Sequence, residues 1–158
     1  MRKSIITHNP QDADLPPGLD WVDLETKARA EFTSEDPTHP LEAAFKPGLG
    51  AGWRASESGR QTIRLVFDTP LTLRRVHLAF QEEESARTHE FLLRWSSDGG
   101  ATYKDIVRQK YTFSPPDNAR EIEDYDVELT GVTGLEITMF PDICGGPARA
   151  SIAELRLA

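Results

Sequence analysis

Apolar and polar residues alternate in short runs along most of this chain. Ile63, Leu65 and Phe67 alternate with Thr62, Arg64 and Val66, and Val76, Leu78 and Phe80 alternate with Arg75, His77 and Ala79. Phe91, Leu93 and Trp95 alternate with Glu90, Leu92 and Arg94, and Leu135, Ile137 and Met139 with Glu136, Thr138 and Phe140. A period of two places one set of side chains on a core face, so each run predicts a β-strand. Asp68-Thr69-Pro70 is expected to stop the first strand and Pro141-Asp142 the last, while Ser97-Asp98-Gly99-Gly100 predicts a hairpin turn. Helical signals are sparse. Pro40-Leu41-Glu42-Ala43-Ala44-Phe45, with Gly48 close behind, predicts one or two turns. Periodicity over Trp21–Ala30 is mixed, and Lys27–Ser34 reads as a strand. Residues 1–18 are polar and turn-rich and read as an arm, leaving 19–158 as an all-β sandwich or barrel.

A length of 158 residues fits one domain, and 38% apolar content is enough for one core. The formal net charge of −8 disfavours nucleic acid and anionic membranes as partners, although Arg74, Arg75 and Arg87 could form a small basic patch. No run approaches the roughly 18 apolar residues of a membrane span. Met1-Arg2-Lys3 begins like a secretion signal, but no apolar segment follows before Asn9-Pro10. Cys144 is the only cysteine, which excludes an internal disulfide. Together these features predict a cytoplasmic protein.

The order of the segments resembles the discoidin, or coagulation factor 5/8 C-type, domain of the galactose-binding-like superfamily. Ala28–Glu35 resembles its first core strand, His39–Phe45 the helical turn that follows, and Gly52-Trp53-Arg54-Ala55 its tryptophan segment. Gly59–Asp68 and Leu71–Leu78 resemble its entry into the main sheet, Phe91–Gly100 with Tyr103–Ile106 its hairpin, and Ala150–Leu157 its final strand. The resemblance implies an antiparallel jelly-roll β-sandwich. It also implies a structural calcium between the loop after the helical turn and a glutamate of the last strand, matched here by Glu154. Lys46 stands in that loop where an aspartate is common, so the expectation is a metal-free domain in which Lys46 pairs with Glu154.

Catalytic chemistry finds little support. Glu82-Glu83-Glu84 could hold a cation but reads better as a solvated loop tip, and His8, His39, His77 and His89 lack metal-ligand spacing. Cys144 has no basic neighbour in sequence to activate it. No cofactor is expected, since Asp98-Gly99-Gly100 is a hairpin and not a phosphate loop. For binding, Tyr111 and Phe113 sit in what reads as an apolar loop through Pro116, and Arg87, His89 and Arg149 could supply hydrogen bonds beside it. Trp53 joins these candidates, although core packing is the more ordinary role for Trp53 and Trp95, as edge-capping is for Tyr111 and Phe113. The arginine spacing of fucose-binding lectins of this fold, with its Arg-x-Asp, is absent. The sequence therefore predicts a non-catalytic, bacterial-type binding module for a carbohydrate or related polar ligand. The alternative is an intracellular protein-interaction module, and an enzyme ranks last.

Overall fold

Two strands of 21 residues, β3 (Gln61–Gln81) and β6 (Arg120–Phe140), run antiparallel along their whole length and carry the architecture. The computed structural model describes residues 20–48, 50 and 52–158, so the predicted arm over 1–18 and His8 lie outside it. Near its middle the β3–β6 pair changes register three times, between Val66 and Arg75. Pro70 supplies no N–H to the ladder there, and Gly131 takes a φ of 66° on the facing strand. Asp68-Thr69-Pro70 thus bends β3 and does not stop it, which corrects the sequence expectation. A prediction from alternation also missed the first half of β6, where polar residues face an interior network described below.

The bend divides the pair between two layers. Ile63–Phe67 pairs with β1 (Ala28–Phe32), and Gly134–Phe140 pairs with β4 (Arg87–Ser96), which pairs with β5 (Lys104–Phe113). Beyond the bend, Val76–Ala79 pairs with β8 (Glu154–Leu157). A separate ribbon joins β2 (Trp53–Ser58) to β7 (Arg149–Ile152). Phe80, from beyond the bend, stacks on Phe91 of β4 with ring centroids 5.1 Å apart, so the layers face each other across one core. Ile63, Leu65, Leu78, Leu93, Leu135, Ile137 and Met139 fill that core, as their alternation requires. The predicted helical turn forms as a 3-10 turn over Leu41–Phe45. A four-residue α-helix, α1 (Leu24–Lys27), precedes β1, whose residues are largely exposed, so the strand expected over Lys27–Ser34 exists but is an edge and not a core element.

The hairpin between β4 and β5 forms where Asp98 predicts it. Asp98 accepts hydrogen bonds from Thr102 and Ser96, which hold its carboxyl down at about 2, and Gly99 and Gly100 follow with φ of 72° and 90°. Gly52 is required for a different reason. A Cβ there would stand 2.2 Å from the Ile152 carbonyl oxygen, so only glycine lets β2 meet β7 this closely.

The run Val76–Phe80 is buried on both faces because the far side of β3 is covered as well. His77 lies there at 3% exposure, with Nδ1 2.8 Å from Asp124 Oδ1 and Nε2 2.9 Å from Glu154 Oε2. Both ring nitrogens face carboxylates, so both donate and the ring is an imidazolium. Burial lowers its pKa, but the hydrogen bonds to Glu154 and Asp124 and the attraction of both charges raise it above the usual histidine value. The Trp21 ring covers this pair from one side, and Arg75 extends the chain of charges to Asp124 and Asp126. Because the folded pKa is raised, the stabilisation is fully present below pH 6.5 and is lost as pH climbs through the raised value. His77→Gln is expected to cost about 3–5 kcal/mol at pH 6, as removal of one member of a buried ion cluster does. The same substitution should flatten the decline of melting temperature on the alkaline side of that pH, and an unchanged profile would refute the imidazolium.

Candidate functional site

Four segments meet at the end of the sandwich where β4 begins and β6 ends. Asp36–His39 comes first, held by Asp36 Oδ1, which accepts from the Thr38 amide at 2.9 Å and from its hydroxyl at 2.8 Å. These bonds, those of the Thr38 amide foremost, hold the Asp36 carboxyl below its usual range. Arg54 of β2 is tied to the same segment through its backbone: its amide donates to the His39 carbonyl and its carbonyl accepts from Asp36. The β3–β4 loop supplies Glu82–Ala86, and the β6–β7 loop supplies Asp142 and Pro147–Ala148, running into Arg149.

Arg87 anchors the centre of this arrangement. Its Nε donates to Glu82 Oε1 at 2.7 Å, its Nη1 donates to the Pro141 carbonyl, and its guanidinium lies 5.1 Å from the Phe113 ring centroid. Burial would raise the Glu82 carboxyl, but the Arg87 hydrogen bond and the Glu84 amide hold it below its usual range. Asp142 Oδ1 accepts from the Cys144 amide, and the Ile143 amide donates to the Thr88 carbonyl, which fixes the opposite wall. Between these walls lie two adjoining recesses of about 170 and 370 Å³ that share Arg54, Glu82 and Glu84. Their lining is mainly polar and charged, and no Phe, Tyr or Trp among the described residues contributes to it. A larger groove of about 980 Å³ beside the bend is lined only by Thr72–Arg74 and Asp126–Thr130 of the paired β3 and β6. Convergence of charged groups from separate segments favours the end cleft as the site.

The six residues singled out from sequence divide sharply. Arg87 and Arg149 line the cleft, Arg87 as a buried clamp and Arg149 exposed. Trp53 and Phe113 are fully buried and offer no face to a ligand, which corrects their assignment as binding residues. The Tyr111–Phe113 stretch is not a loop: it ends β5 and pairs with Arg87–His89 of β4. Tyr111 is half-buried at the sandwich edge, where its hydroxyl donates to the Arg120 carbonyl. Sequence reading did not include Arg54, although its place between buried Trp53 and Ala55 turns its side chain outward. It also set His39, Glu82 and Glu84 aside and read Asp142 only as part of a strand stop.

His89 belongs to a polar network inside the sandwich and not to the cleft. Burial, then the Arg87 charge, pulls it down to about 3, so it is neutral, with Nε2 2.6 Å from Glu121 Oε1. Glu121 in turn faces Glu123, and Gln109 Nε2 donates to Glu123 Oε1 at 2.6 Å. Burial, the hydrogen bond with Glu121 and its charge push Glu123 up to about 7, which leaves a proton shared between the two carboxyls. Burial also raises the Tyr125 hydroxyl, which donates to Gln109 Oε1.

The calcium implied by the resemblance can be tested against Glu154. Its Oε1 accepts from the Gly48 amide at 2.7 Å and its Oε2 faces the His77 imidazolium. The loop thus presents an N–H donor to Glu154, and a fixed cation already neutralises the carboxylate. A calcium ion needs about six to eight oxygen ligands. These residues do not fit one. The pairing expected for Lys46 is corrected as well: Lys46 is exposed, and the ion pair of Glu154 is with His77.

No family model and no curated relative matches the chain. Solved structures do. A family 32 carbohydrate-binding module of C. perfringens NanJ, solved with galactose, superposes with a TM-score of 0.62 at 15% identity, covering 87% of this chain and 96% of that one. The family 32 module of AlyQ, in complex with 4,5-unsaturated mannuronic acid, gives 0.64 at 20% identity over 89% and 98%. A pectin-binding module gives 0.60 at 16% identity over 83% and 89%. The chain therefore has the galactose-binding-like sandwich fold that its strand order resembles.

The shared proton makes stability depend on pH. Glu123 binds its proton more tightly folded than unfolded, so its contribution falls as pH rises from 4.5 to about 7 and is level above that. His89 acts in the opposite sense, its contribution falling as pH drops from 6.5 towards 3. Glu123→Gln should remove the first dependence and leave the second, so urea midpoints of the variant should rise relative to the parent between pH 4.5 and 7. Parallel profiles for the two proteins would show that no proton is held there.

Proposed function

We propose that this chain is a non-catalytic module that binds carbohydrate in the end cleft through Arg54, Arg149, Glu84 and Asp142. The observation that carries the reading is the convergence of these polar side chains, from separate segments, at the loop end of a sandwich whose structural neighbours were solved with sugars. Without an aromatic platform, recognition rests on hydrogen bonds to hydroxyls and ring substituents. A non-catalytic role is supported by where the most strongly perturbed groups lie. His89 and Glu123 are engaged with partners inside the sandwich, and neither lines the cleft. The protein-interaction alternative has less support, since the exposed large apolar residues among those described, Phe32, Ile122 and Ile143, sit on three separate elements.

A glycan array of diverse composition tests the reading. Selective binding is expected, reduced about tenfold or more by Arg149→Ala, as loss of a charged hydrogen-bond donor implies, and retained by Tyr111→Ala. An array silent for the parent protein, or binding lost only with Tyr111, would contradict it.

A further inference from the structure

Two guanidiniums of the cleft, Arg54 and Arg149, form no ion pair among the described residues. In the β2–β7 ribbon Arg54 pairs with Ser151 and, past a register shift, Ser58 pairs with Arg149, two residues before Ser151. Side chains two apart share a face, so Arg149 and Ser151 of β7 point the same way, and Arg54 and Arg149 line one recess. All three line the recesses. Arg87 is engaged by Glu82 and Pro141, but none of the salt bridges or side-chain hydrogen bonds among the described residues uses Arg54 or Arg149. Asp36 feels the Arg149 charge, yet its hydrogen bonds are to Thr38.

Two guanidiniums in one recess repel each other until an anion bridges them, and their planar forks match a carboxylate. The remaining wall has the opposite character. Glu84 and Asp142 are acceptors, suited to hydroxyl donors and repulsive to further negative charge. A ligand complementary to both walls carries one carboxylate on one side and hydroxyls on the other. We propose that the cleft selects an acidic sugar, a hexuronate unit whose carboxylate sits between Arg54 and Arg149 and whose ring hydroxyls donate to Glu84 and Asp142. The inference rests on the carbohydrate reading above and narrows its ligand class.

Calorimetric titrations with galacturonic acid, its methyl ester and galactose, and with mannuronic acid and mannose, separate the two. The expected result is that at least one acid binds about tenfold or more tightly than its neutral counterpart, a gap typical of one charged hydrogen-bonding pair. Arg54→Gln and Arg149→Gln should each reduce that preference to near parity without changing the melting temperature. Equal binding of acid, ester and neutral sugar would overturn the acidic-sugar inference and leave carbohydrate binding standing. A preference that survives in both arginine variants would also overturn it. No binding of any of these sugars, together with a silent glycan array, would overturn both.

Discussion

The continuous pairing of β3 with β6 is the constraint on which the rest of the molecule depends. One hairpin-like pair, bent at Pro70 and Gly131, enters both layers, so the layers are joined by backbone hydrogen bonds as well as by side-chain packing. Its geometry sets where every loop emerges. At the far end of β3 the chain must return through Glu82–Ala86 to start β4, and at the end of β6 it must pass through Pro141–Ala148 to reach β7. Those two returns form facing walls of the cleft, and Arg87 ties them together by bonding to Glu82 on one side and Pro141 on the other. A buried arginine bonded through Nε and Nη1 thus braces the two walls of the site.

The charges of this protein fall into two kinds, told apart by their partners. His77 with Asp124 and Glu154, and His89 with Glu121 and Glu123, are internal and satisfied, one as an imidazolium and the other as a neutral ring beside a shared proton. The same residue type takes opposite protonation states because two carboxylates flank His77, while Arg87 and deep burial act on His89. Arg54 and Arg149, by contrast, face a solvent-open recess. The strongly shifted His89 and Glu123 are thus structural wiring, while Arg54 and Arg149 carry the proposed recognition surface.

Much of the fold was legible in the alternation of Ile63–Phe67, Val76–Phe80, Phe91–Trp95 and Leu135–Met139, because each of those faces is purely apolar. The first half of β6 was not. Its inward positions are Glu121, Glu123 and Tyr125, whose burial depends on partners from β4 and β5 that no local window contains. Pro70 was misread for a related reason: a bulge between long strands and a strand end share the same local residues. At the site, aromatic residues drew attention to Tyr111, Phe113 and Trp53, but aromatic rings are as useful to a core as to a sugar, and here Phe113 and Trp53 are core. Arg54 carried a readable signal in its alternation with Trp53 and Ala55. That it shares a recess with Arg149 depends on β2 pairing with β7, a contact distant in sequence.

Ligand is expected in the end cleft, and an amide-resolved NMR map recorded during titration with a bound sugar locates it residue by residue. The shifted amides should cluster at Asp36–His39, Arg54, Glu82–Ala86 and Asp142–Ser151. Shifts concentrated instead at Thr72–Arg74 and Asp126–Thr130, or along the β5 edge near Tyr111, would place recognition elsewhere and contradict that expectation.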